Sequence, residues 1–233
     1  MEYNTIHSLG SRCQNSEILK HYKYREFSGF FDFMNTLNVK NIKHILADDF
    51  HEILKPENNF TLKCNQMTID PETGDKLPTS NRTSNKFYDV DHTDVHGAIF
   101  PHHDLNNVND YEHFVKCKKR FKKLKEYNTL FNYTYNKWEN EITIADMKEI
   151  VNILKTVHEF TNFKVCFIGV SFGNNSYEKT ITDEYFDNWD IHIGRNSFTG
   201  GLFLNPIDNE NYINIIKSYE ISDDRITKEK IDS

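Results

Sequence analysis

The stretch Ile6-His7-Ser8-Leu9-Gly10-Ser11-Arg12-Cys13-Gln14-Asn15-Ser16-Glu17-Ile18-Leu19-Lys20 decides the fold that we predict for this chain. A short apolar run, residues 5–9, reaches a Gly-Ser corner, and an amphipathic helical pattern begins at Asn15 or Ser16. This order predicts a strand, a turn and then a helix. Cys13 lies at the junction, where the first backbone N–H groups of the helix have no intrahelical partner.

Outward from this corner the chain alternates between helical and strand patterns. Helical spacing is predicted over residues 15–22, 39–54, 109–127, 145–160 and 207–219, and strands over 129–135, 164–170 and 190–193. Strands that alternate with helices of this length predict an α/β fold with a mostly parallel sheet flanked by helices. In such sheets the functional site lies beyond the carboxyl ends of the strands, which is where Cys13 follows the first strand.

The domain organisation predicted from length and composition is one α/β domain over residues 1–233. Residues 59–90 differ in character, with short strand patterns at 60–63 and 66–69 followed by turn residues and a polar run. We interpret them as an inserted irregular or β segment, or a mobile loop. Further strands are expected at 87–90 and 97–100, and the charged residues 221–233 predict a frayed tail.

Composition narrows the class of protein. The formal net charge of -7 argues against general nucleic-acid binding. No run is long and apolar enough to cross a bilayer, and there is no secretory pattern at the start. The four cysteines are scattered without a C-x-x-C spacing, which is typical of reduced thiols. We therefore expect a cytoplasmic protein with neither nucleic-acid nor membrane partners.

Cys13 is the candidate nucleophile. The helix dipole favours negative charge in its first turn and raises the thiolate fraction of a thiol placed there. The alternative is a buried, inert cysteine at the end of a strand.

A cysteine nucleophile needs a base within hydrogen-bond reach and a third group that orients the base. Phe100-Pro101-His102-His103-Asp104 offers two imidazoles followed by a carboxylate, or else a polar turn with surface histidines. His92 and His96, with Asp94 between them, have spacing that suggests zinc. However, the segment lacks a convincing helix and the Glu of the metalloprotease motif. No metal is expected.

A second nucleophile candidate is Ser171 in Gly169-Val170-Ser171-Phe172-Gly173, which follows a buried strand as a G-x-S-x-G elbow requires. The residues that follow it in the order of an α/β-hydrolase triad are Asp183, Asp187, Asp190 and His192. A glycine-flanked strand end is favoured, because no clear helix begins after Ser171.

Two other features stay open at this point. Asp32, a single acid in the aromatic run Phe27-Ser28-Gly29-Phe30-Phe31-Asp32-Phe33, orients a catalytic group or caps a turn. The lysines and arginine from Lys116 to Lys125 have two interpretations: they bind a phosphate, or they form the solvated face of an amphipathic helix. The solvated face is the favoured interpretation.

These segments resemble a domain-of-unknown-function family described as putative papain-like cysteine peptidases, with members in bacteria and large DNA viruses. Ser8-Leu9-Gly10-Ser11-Arg12-Cys13-Gln14 is similar to the family's S-L-G-x-x-C-Q, and the run from Phe27 to Phe33 resembles its F-S-x-x-F-D-W. The run from Phe100 to Asp104 resembles an F-x-H-D element. The similarity covers residues 5–135.

The resemblance implies Cys13 as nucleophile and His103, adjoining Asp104, as its base, with His102 as the second choice. In the chemistry that follows, the thiolate attacks an acyl carbon and the histidine moves the proton. Backbone N–H groups near Ser11 to Gln14 hold the oxyanion. Asp32 is expected to shape the site.

Three functions are expected in order of preference. The first is a papain-like cysteine peptidase or hydrolase that acts on a peptide or acylated substrate without a cofactor. The second is an acyltransferase that uses coenzyme A to modify glycans, because the start of the chain is similar to such enzymes too. The third is a binding module that keeps the pocket but not the chemistry.

Overall fold

The computed structural model describes residues 1–10, 13–36, 38–62, 67–69, 76–78, 82–88, 99–139, 141–194 and 202–233. Within these ranges the chain forms seven α-helices and nine strands. The helices are α1 (Cys13–His21), α2 (Val39–Ala47), α3 (His51–Leu54), α4 (Val108–Lys123), α5 (Ile144–Thr156), α6 (Pro206–Lys217) and α7 (Lys228–Asp232). The strands are β1 (Thr5–Ser8), β2 (Asn59–Leu62), β3 (Met67–Ile69), β4 (Lys76–Pro78), β5 (Arg82–Asn85), β6 (Thr129–Asn136), β7 (Phe163–Phe172), β8 (Ser176–Thr182) and β9 (Phe186–Ile193).

Five strands form one mixed sheet in the order β1-β6-β7-β9-β8. The first four of these run parallel, with Thr5 opposite Thr129 and Val165 opposite Phe186. β8 closes the far edge antiparallel to β9. Parallel neighbours need a crossover connection, which α5 supplies between β6 and β7. The prediction of an α/β fold with a mostly parallel sheet flanked by helices is confirmed.

Helices cover both faces of this sheet and divide the core in two. In β6, Leu130 joins one core and Phe131 the other, because successive side chains of a strand point to opposite faces. The core under α2, α4 and α5 includes Ile42, Phe114, Ile150, Tyr133 and Phe167. The core under α1 and α6 includes Ile18, Leu19, Ile168, Ile191 and Ile213.

The segment expected to be an insertion forms two small antiparallel ribbons. β2 pairs with β5, and β3 pairs with β4. The strand expected at 87–90 is a turn at Phe87 and Tyr88, and residues 89–98 lie outside the described residues. Phe100 pairs with Thr83 through an isolated bridge, which attaches the β2–β5 ribbon to the histidine loop that follows.

The helix predicted over 39–54 is interrupted. Asp49 and Phe50 have φ of 54° and 62°, the left-handed region, and they separate α2 from α3. The conformation costs about 1–2 kcal/mol for a residue with a Cβ. The burial of Phe50 offsets this cost, because the side chain is fully buried with its ring centroid 4.4 Å from that of Phe30. Tertiary packing of one aromatic ring therefore overrides the helical periodicity.

β8 has no counterpart among the predicted strands. Its residues are almost all exposed, because it forms the outer edge of the sheet and the sequence Ser-Tyr-Glu-Lys-Thr-Ile-Thr lacks the apolar alternation of a half-buried strand. Charged side chains at an edge strand discourage pairing with another chain.

The C-terminal residues, predicted to fray, pack against the domain. Tyr3 forms a parallel bridge with Ile221, and Ile226 and Ile231 are buried. α7 is fastened by a two-pronged ion pair in which Arg120 Nε and Nη2 lie 2.6 and 2.7 Å from the two oxygens of Asp232. Among the helices of the described ranges, none has both the length and the apolar composition to cross a bilayer.

Candidate active site

Cys13 is the first residue of α1, and the corner before it is fixed by its neighbours. Gly10 has φ of 105°, and a Cβ there would lie 2.2 Å from Thr36 Oγ1, so glycine is required for both conformation and space. Asn15 Nδ2 lies 3.1 Å from the carbonyl oxygen of Gly10 and 2.8 Å from that of Asn132. These contacts between the end of β1, the Gly10 corner and α1 fix the position of Cys13 at the start of the helix.

Cys13 differs in burial from the other cysteines of the described ranges. Cys117 and Cys166 are buried, and burial raises the pKa of each thiol to about 12. Cys13 is half-buried. Cys64 lies outside the described residues. Both buried thiols are protonated at neutral pH, which leaves Cys13 as the accessible thiol of this set.

The groups expected to hold an oxyanion are described in part. Ser11 lies outside the described residues. Gln14, in the first turn of α1, is 3% exposed, and its Nε2 has no hydrogen-bond partner within the described part of the chain. A buried donor without an acceptor costs about 1–3 kcal/mol. An oxygen that develops negative charge is an acceptor of the kind that would satisfy it.

Asp32 is buried and connects the aromatic run to α1. Its Oδ2 accepts hydrogen bonds from Arg25 Nη1 and Gly29 N, both at 2.8 Å. Its carbonyl oxygen lies 2.9 Å from Ser16 Oγ, which is also 3.1 Å from the carbonyl oxygen of Cys13. Burial raises the pKa of Asp32 to about 6, although the Arg25 charge acts in the opposite direction. These contacts indicate a residue that shapes the corner around Cys13.

The ring of His103 contacts Phe33, which adjoins the corner around Cys13. The two rings lie edge to face with centroids 5.2 Å apart, and the Arg25 guanidinium lies 5.7 Å from the Phe33 centroid. Phe33 directly follows Asp32, whose backbone contacts α1. The Asp32–Phe33 turn therefore contacts both the helix that carries Cys13 and the loop that carries His103.

The carboxylate that contacts the His103 ring is that of Asp110. His103 Nδ1 lies 3.1 Å from Asp110 Oδ1, and both side chains are partly exposed. Asp110 lies in the first turn of α4, after the N-cap Asn107, where the helix dipole favours a negative charge. A ring whose Nδ1–H donates to a carboxylate keeps Nε2 as its basic nitrogen. This is the orientation that a general base requires.

Asp104, the predicted partner of His103, faces elsewhere. Its two oxygens accept from Thr61 Oγ1 at 2.9 and 3.0 Å, and its backbone N–H donates to Asp110 Oδ2 at 2.8 Å. Asp104 therefore follows His103 in sequence, but its carboxylate hydrogen-bonds Thr61 and His103 Nδ1 hydrogen-bonds Asp110. Asp104 ties the histidine loop to the inserted ribbon and holds Asp110 in place.

His102 is exposed and lies within electrostatic range of α1. Desolvation by its surroundings lowers the pKa of its imidazole, and the charge of Arg82 acts in the same direction. Glu17, one turn after Cys13, has the opposite effect on that pKa. His102 thus stands near the same helix, whereas His103 has a carboxylate that fixes its ring.

His113 is a neighbour that the sequence did not single out. Its ring stacks on that of His103 with centroids 5.9 Å apart, and its Nε2 lies 3.5 Å from Cys117 Sγ. Burial lowers the pKa of His113, and the charges of His103 and Arg120 add to this effect. The positions 110, 113 and 117 repeat at helical spacing along α4, and this was the available signal.

His92, Asp94 and His96 lie outside the described residues. Within the described ranges no cluster of three or more His, Cys, Asp or Glu is arranged to hold a metal ion.

Ser171 Oγ lies 2.7 Å from His192 Nδ1, across the parallel pair β7 and β9. The chain turns into β8 after this point instead of a helix, so there is no nucleophile elbow. The three expected acids bind other groups: Asp183 accepts from a backbone N–H, and Asp187 and Asp190 pair with lysines.

A half-buried cysteine at the start of a helix and a histidine held by a carboxylate are the parts from which enzymes with a cysteine nucleophile build their sites. A family model described as "Putative papain-like cysteine peptidase (DUF1796)" matches residues 4–173, and the chain belongs to this family. The match includes Cys13, His103 and Asp110. Searches among curated proteins and among solved structures found no match.

Proposed function

We propose that this chain is a cysteine-nucleophile hydrolase of the peptidase type, in which Cys13 attacks, His103 moves the proton and Asp110 orients the imidazole. The observation that carries the proposal is the contact of 3.1 Å between His103 Nδ1 and Asp110 Oδ1, on a loop whose His103 ring contacts Phe33 of the turn that binds α1. Membership of the family, whose match includes all three residues, supports it further.

In the first step His103 Nε2 takes the proton of the Cys13 thiol, and the resulting thiolate forms a bond to the carbonyl carbon of the substrate, whose oxygen takes the negative charge. Backbone N–H groups in the first turn of α1 are donors for this oxygen, because they have no intrahelical acceptor. The buried Gln14 Nε2 is a further donor. Collapse of the tetrahedral intermediate breaks the bond to the leaving amine, which takes its proton from His103 Nε2.

In the second step water attacks the thioester carbon while His103 accepts a proton from it. The C–S bond breaks, the acid product leaves and Cys13 is regenerated as a thiolate beside a protonated imidazole. Asp110 stabilises that positive charge and keeps Nδ1 protonated throughout. An alcohol or amine in place of the water would make the same residues an acyltransferase.

The test is the alkylation rate of Cys13 by iodoacetamide at neutral pH, followed by mass spectrometry of the peptide that contains it. In His103→Ala we expect the rate to fall roughly tenfold or more, because a free thiol is only a few per cent ionised at this pH. Asp110→Asn should lower the rate by a smaller factor, since the ring stays but loses its orientation.

His102→Ala and Asp104→Asn are the matched controls, and each should change the rate less than about twofold. An unchanged rate in His103→Ala, with loss in His102→Ala, would transfer the role of base to the neighbouring ring. If wild-type Cys13 reacts no faster than Cys64 in the same chain, the enzyme proposal fails and a binding module remains.

The acyl acceptor is tested by thermal unfolding with two ligands. A peptide aldehyde that forms a reversible bond to Cys13 should raise the melting temperature of the wild-type chain but not of Cys13→Ser. A rise with acetyl-coenzyme A and none with the aldehyde would favour the acyltransferase that uses coenzyme A.

A further inference from the structure

A cleft of about 770 Å³ lies beside the candidate active site, between the end of α1, the outer face of α4 and the short helix α7. His113 lines this cleft and also stacks on the His103 ring. Arg25 lines it too, and its guanidinium lies over Phe33 at the Cys13 corner. One end of the cleft therefore adjoins the residues to which we assign the chemistry.

The cleft is strongly basic, although the chain as a whole carries a formal charge of -7. Its two arginines are already neutralised, because Arg25 pairs with Asp32 at 2.8 Å and Arg120 pairs with Asp232 at 2.6 Å. Glu26 is the other acid of the lining, and it is engaged by Arg225 at 3.3 Å. The charges of Lys123 and Lys228 still act on Asp232, which is already paired with Arg120, so the lysines of the lining outnumber the acids of the lining.

Five lysines line the cleft, and among the described residues none of them has a carboxylate within ion-pair distance. They are Lys20, Lys116, Lys119, Lys123 and Lys228. Ammonium groups of one cleft repel each other, and this repulsion is incompletely screened wherever they lie within a Debye length, about 10 Å at 0.1 M salt. The arrangement costs stability in the empty protein, and a bound polyanion would remove that cost.

Helical periodicity explains only part of this arrangement. A solvated face of α4 accounts for Lys116, Lys119 and Lys123, which follow one another at spacings of three and four residues. It does not account for Lys20 at the end of α1 or Lys228 in α7. Three helices that are distant in sequence bring their lysines to the same cavity, and this convergence is what points to a ligand.

We propose that this cleft binds a small molecule with adjacent phosphate groups. A volume of 770 Å³ is in the range of small-molecule pockets, whereas a nucleic acid needs an extended basic track. Adjacent phosphates place several negative charges within the reach of several flexible ammonium groups, which bind phosphate as point charges. Either a free diphosphate or the diphosphate of a larger coenzyme has this chemistry.

The proposal is tested by titration calorimetry at low ionic strength with pyrophosphate and with acetyl-coenzyme A. The variant Lys119→Gln/Lys123→Gln removes two ammonium groups from the cleft. The control Lys148→Gln/Lys217→Gln removes two exposed lysines from α5 and α6, outside the cleft. We expect the cleft variant to weaken binding roughly tenfold or more and the control to change it less than about twofold.

Tighter binding of acetyl-coenzyme A than of pyrophosphate would identify a coenzyme as the source of the phosphates. Equal or weaker binding would identify free phosphate compounds. If neither binds, or if both double variants bind like the wild type, the proposal is overturned. It is also overturned if a short single-stranded oligonucleotide binds through the cleft lysines while pyrophosphate does not.

The cleft proposal does not depend on the chemistry assigned to Cys13, and the experiment separates the two. Cys13→Ser should bind pyrophosphate like the wild type. Binding together with an unreactive Cys13 would contradict the catalytic proposal alone, and a reactive Cys13 without binding would contradict the cleft alone.

Discussion

His7 is a buried imidazole in β1, one strand position before the Ser8 that ends the strand. Its ring is surrounded by those of Phe27, Phe121 and Phe131, with centroid distances of 6.2, 5.9 and 6.3 Å. A Cβ on Gly29 would lie 2.2 Å from the ring, so the backbone closes over it as well. Burial lowers the pKa of His7 to about 3, and the charges of Arg25 and Arg120 act in the same direction.

This burial predicts a loss of stability in mild acid. The unfolded chain binds a proton at His7 below about pH 6.5, whereas the folded chain does not do so until about pH 3. Between these values the unfolded state holds more protons, so the free energy of unfolding falls as the pH falls. We expect the decrease from pH 6.5 to 4.5 to be about 2–3 kcal/mol larger in the wild type than in His7→Leu, by urea unfolding.

Asp32, whose pKa is raised, acts in the opposite direction, but it is present in both proteins and cancels from the comparison. His21→Gln, at an exposed position of α1, is the control and should retain the wild-type pH dependence. Equal acid sensitivity in the wild type and His7→Leu would contradict the prediction.

At the residue scale some residues of the proposed site could be named from the sequence and others could not. Cys13 and His103 follow from local pattern, because a strand-to-helix corner and a histidine pair are visible in a few consecutive residues. Asp110 could not be assigned in the same way. Its contact with His103 depends on how the loop enters α4, and that geometry is set by the ribbon to which Thr83 and Phe100 belong.

At the scale of elements, α5 shows how a helix start is specified. Thr143 Oγ1 accepts from Asp146 N at 3.2 Å, and Asp146 Oδ2 accepts from Thr143 N at 3.0 Å, which is a capping box. Asp146 also pairs with Lys43 of α2 at 2.8 Å. The cap therefore fixes the start of α5 and its position against a second helix.

We predict that Thr143→Ala lowers the free energy of unfolding by about 1 kcal/mol, because Asp146 N loses its acceptor. Chemical denaturation measures the change. Thr156→Ala in the last turn of the same helix is the matched control, since its hydroxyl only donates back to the Asn152 carbonyl oxygen. A loss that is as large in Thr156→Ala as in Thr143→Ala would show that the cap is not the cause.

Helices and strands could be predicted from the sequence where a single hydrophobic periodicity dominates the segment. The helices α4, α5 and α6 and the buried strand β7 were all expected within a few residues of their observed ends. The break at Phe50 was not expected, because it depends on packing against the distant Phe30 ring. The exposed strand β8 was not expected either, because it depends on a position at the edge of the sheet.

At the scale of the whole molecule, the charge of one cleft is opposite in sign to the net charge of the chain. The formal net charge of -7 describes the sum over the chain, but it conceals a cleft lined by five lysines, none of which has a carboxylate within ion-pair distance among the described residues. Composition has no spatial information, and the convergence of α1, α4 and α7 appears only when the chain folds. The basic pattern in α4, interpreted from sequence as a solvated face, becomes part of a cavity.

The pairing of β1 with β6 also has a kinetic consequence. β6 to β9 lie within one continuous stretch of 65 residues, 129–193, whereas β1 joins them across more than half of the chain. Contacts that close long loops form late, because the chain loses more entropy before it gains the contact. The edge strand β1, which is followed by Cys13, should therefore join the sheet last.

Pulsed hydrogen exchange during refolding measures this order. The amide of Val165, bonded to the Tyr185 carbonyl oxygen, should become protected before that of Leu9, which is bonded to the Asn132 carbonyl oxygen. Simultaneous protection would indicate a single cooperative step. If the order holds, a chain that has regained most of its sheet would still lack a competent thiol, and recovery of reactivity would lag behind recovery of shape.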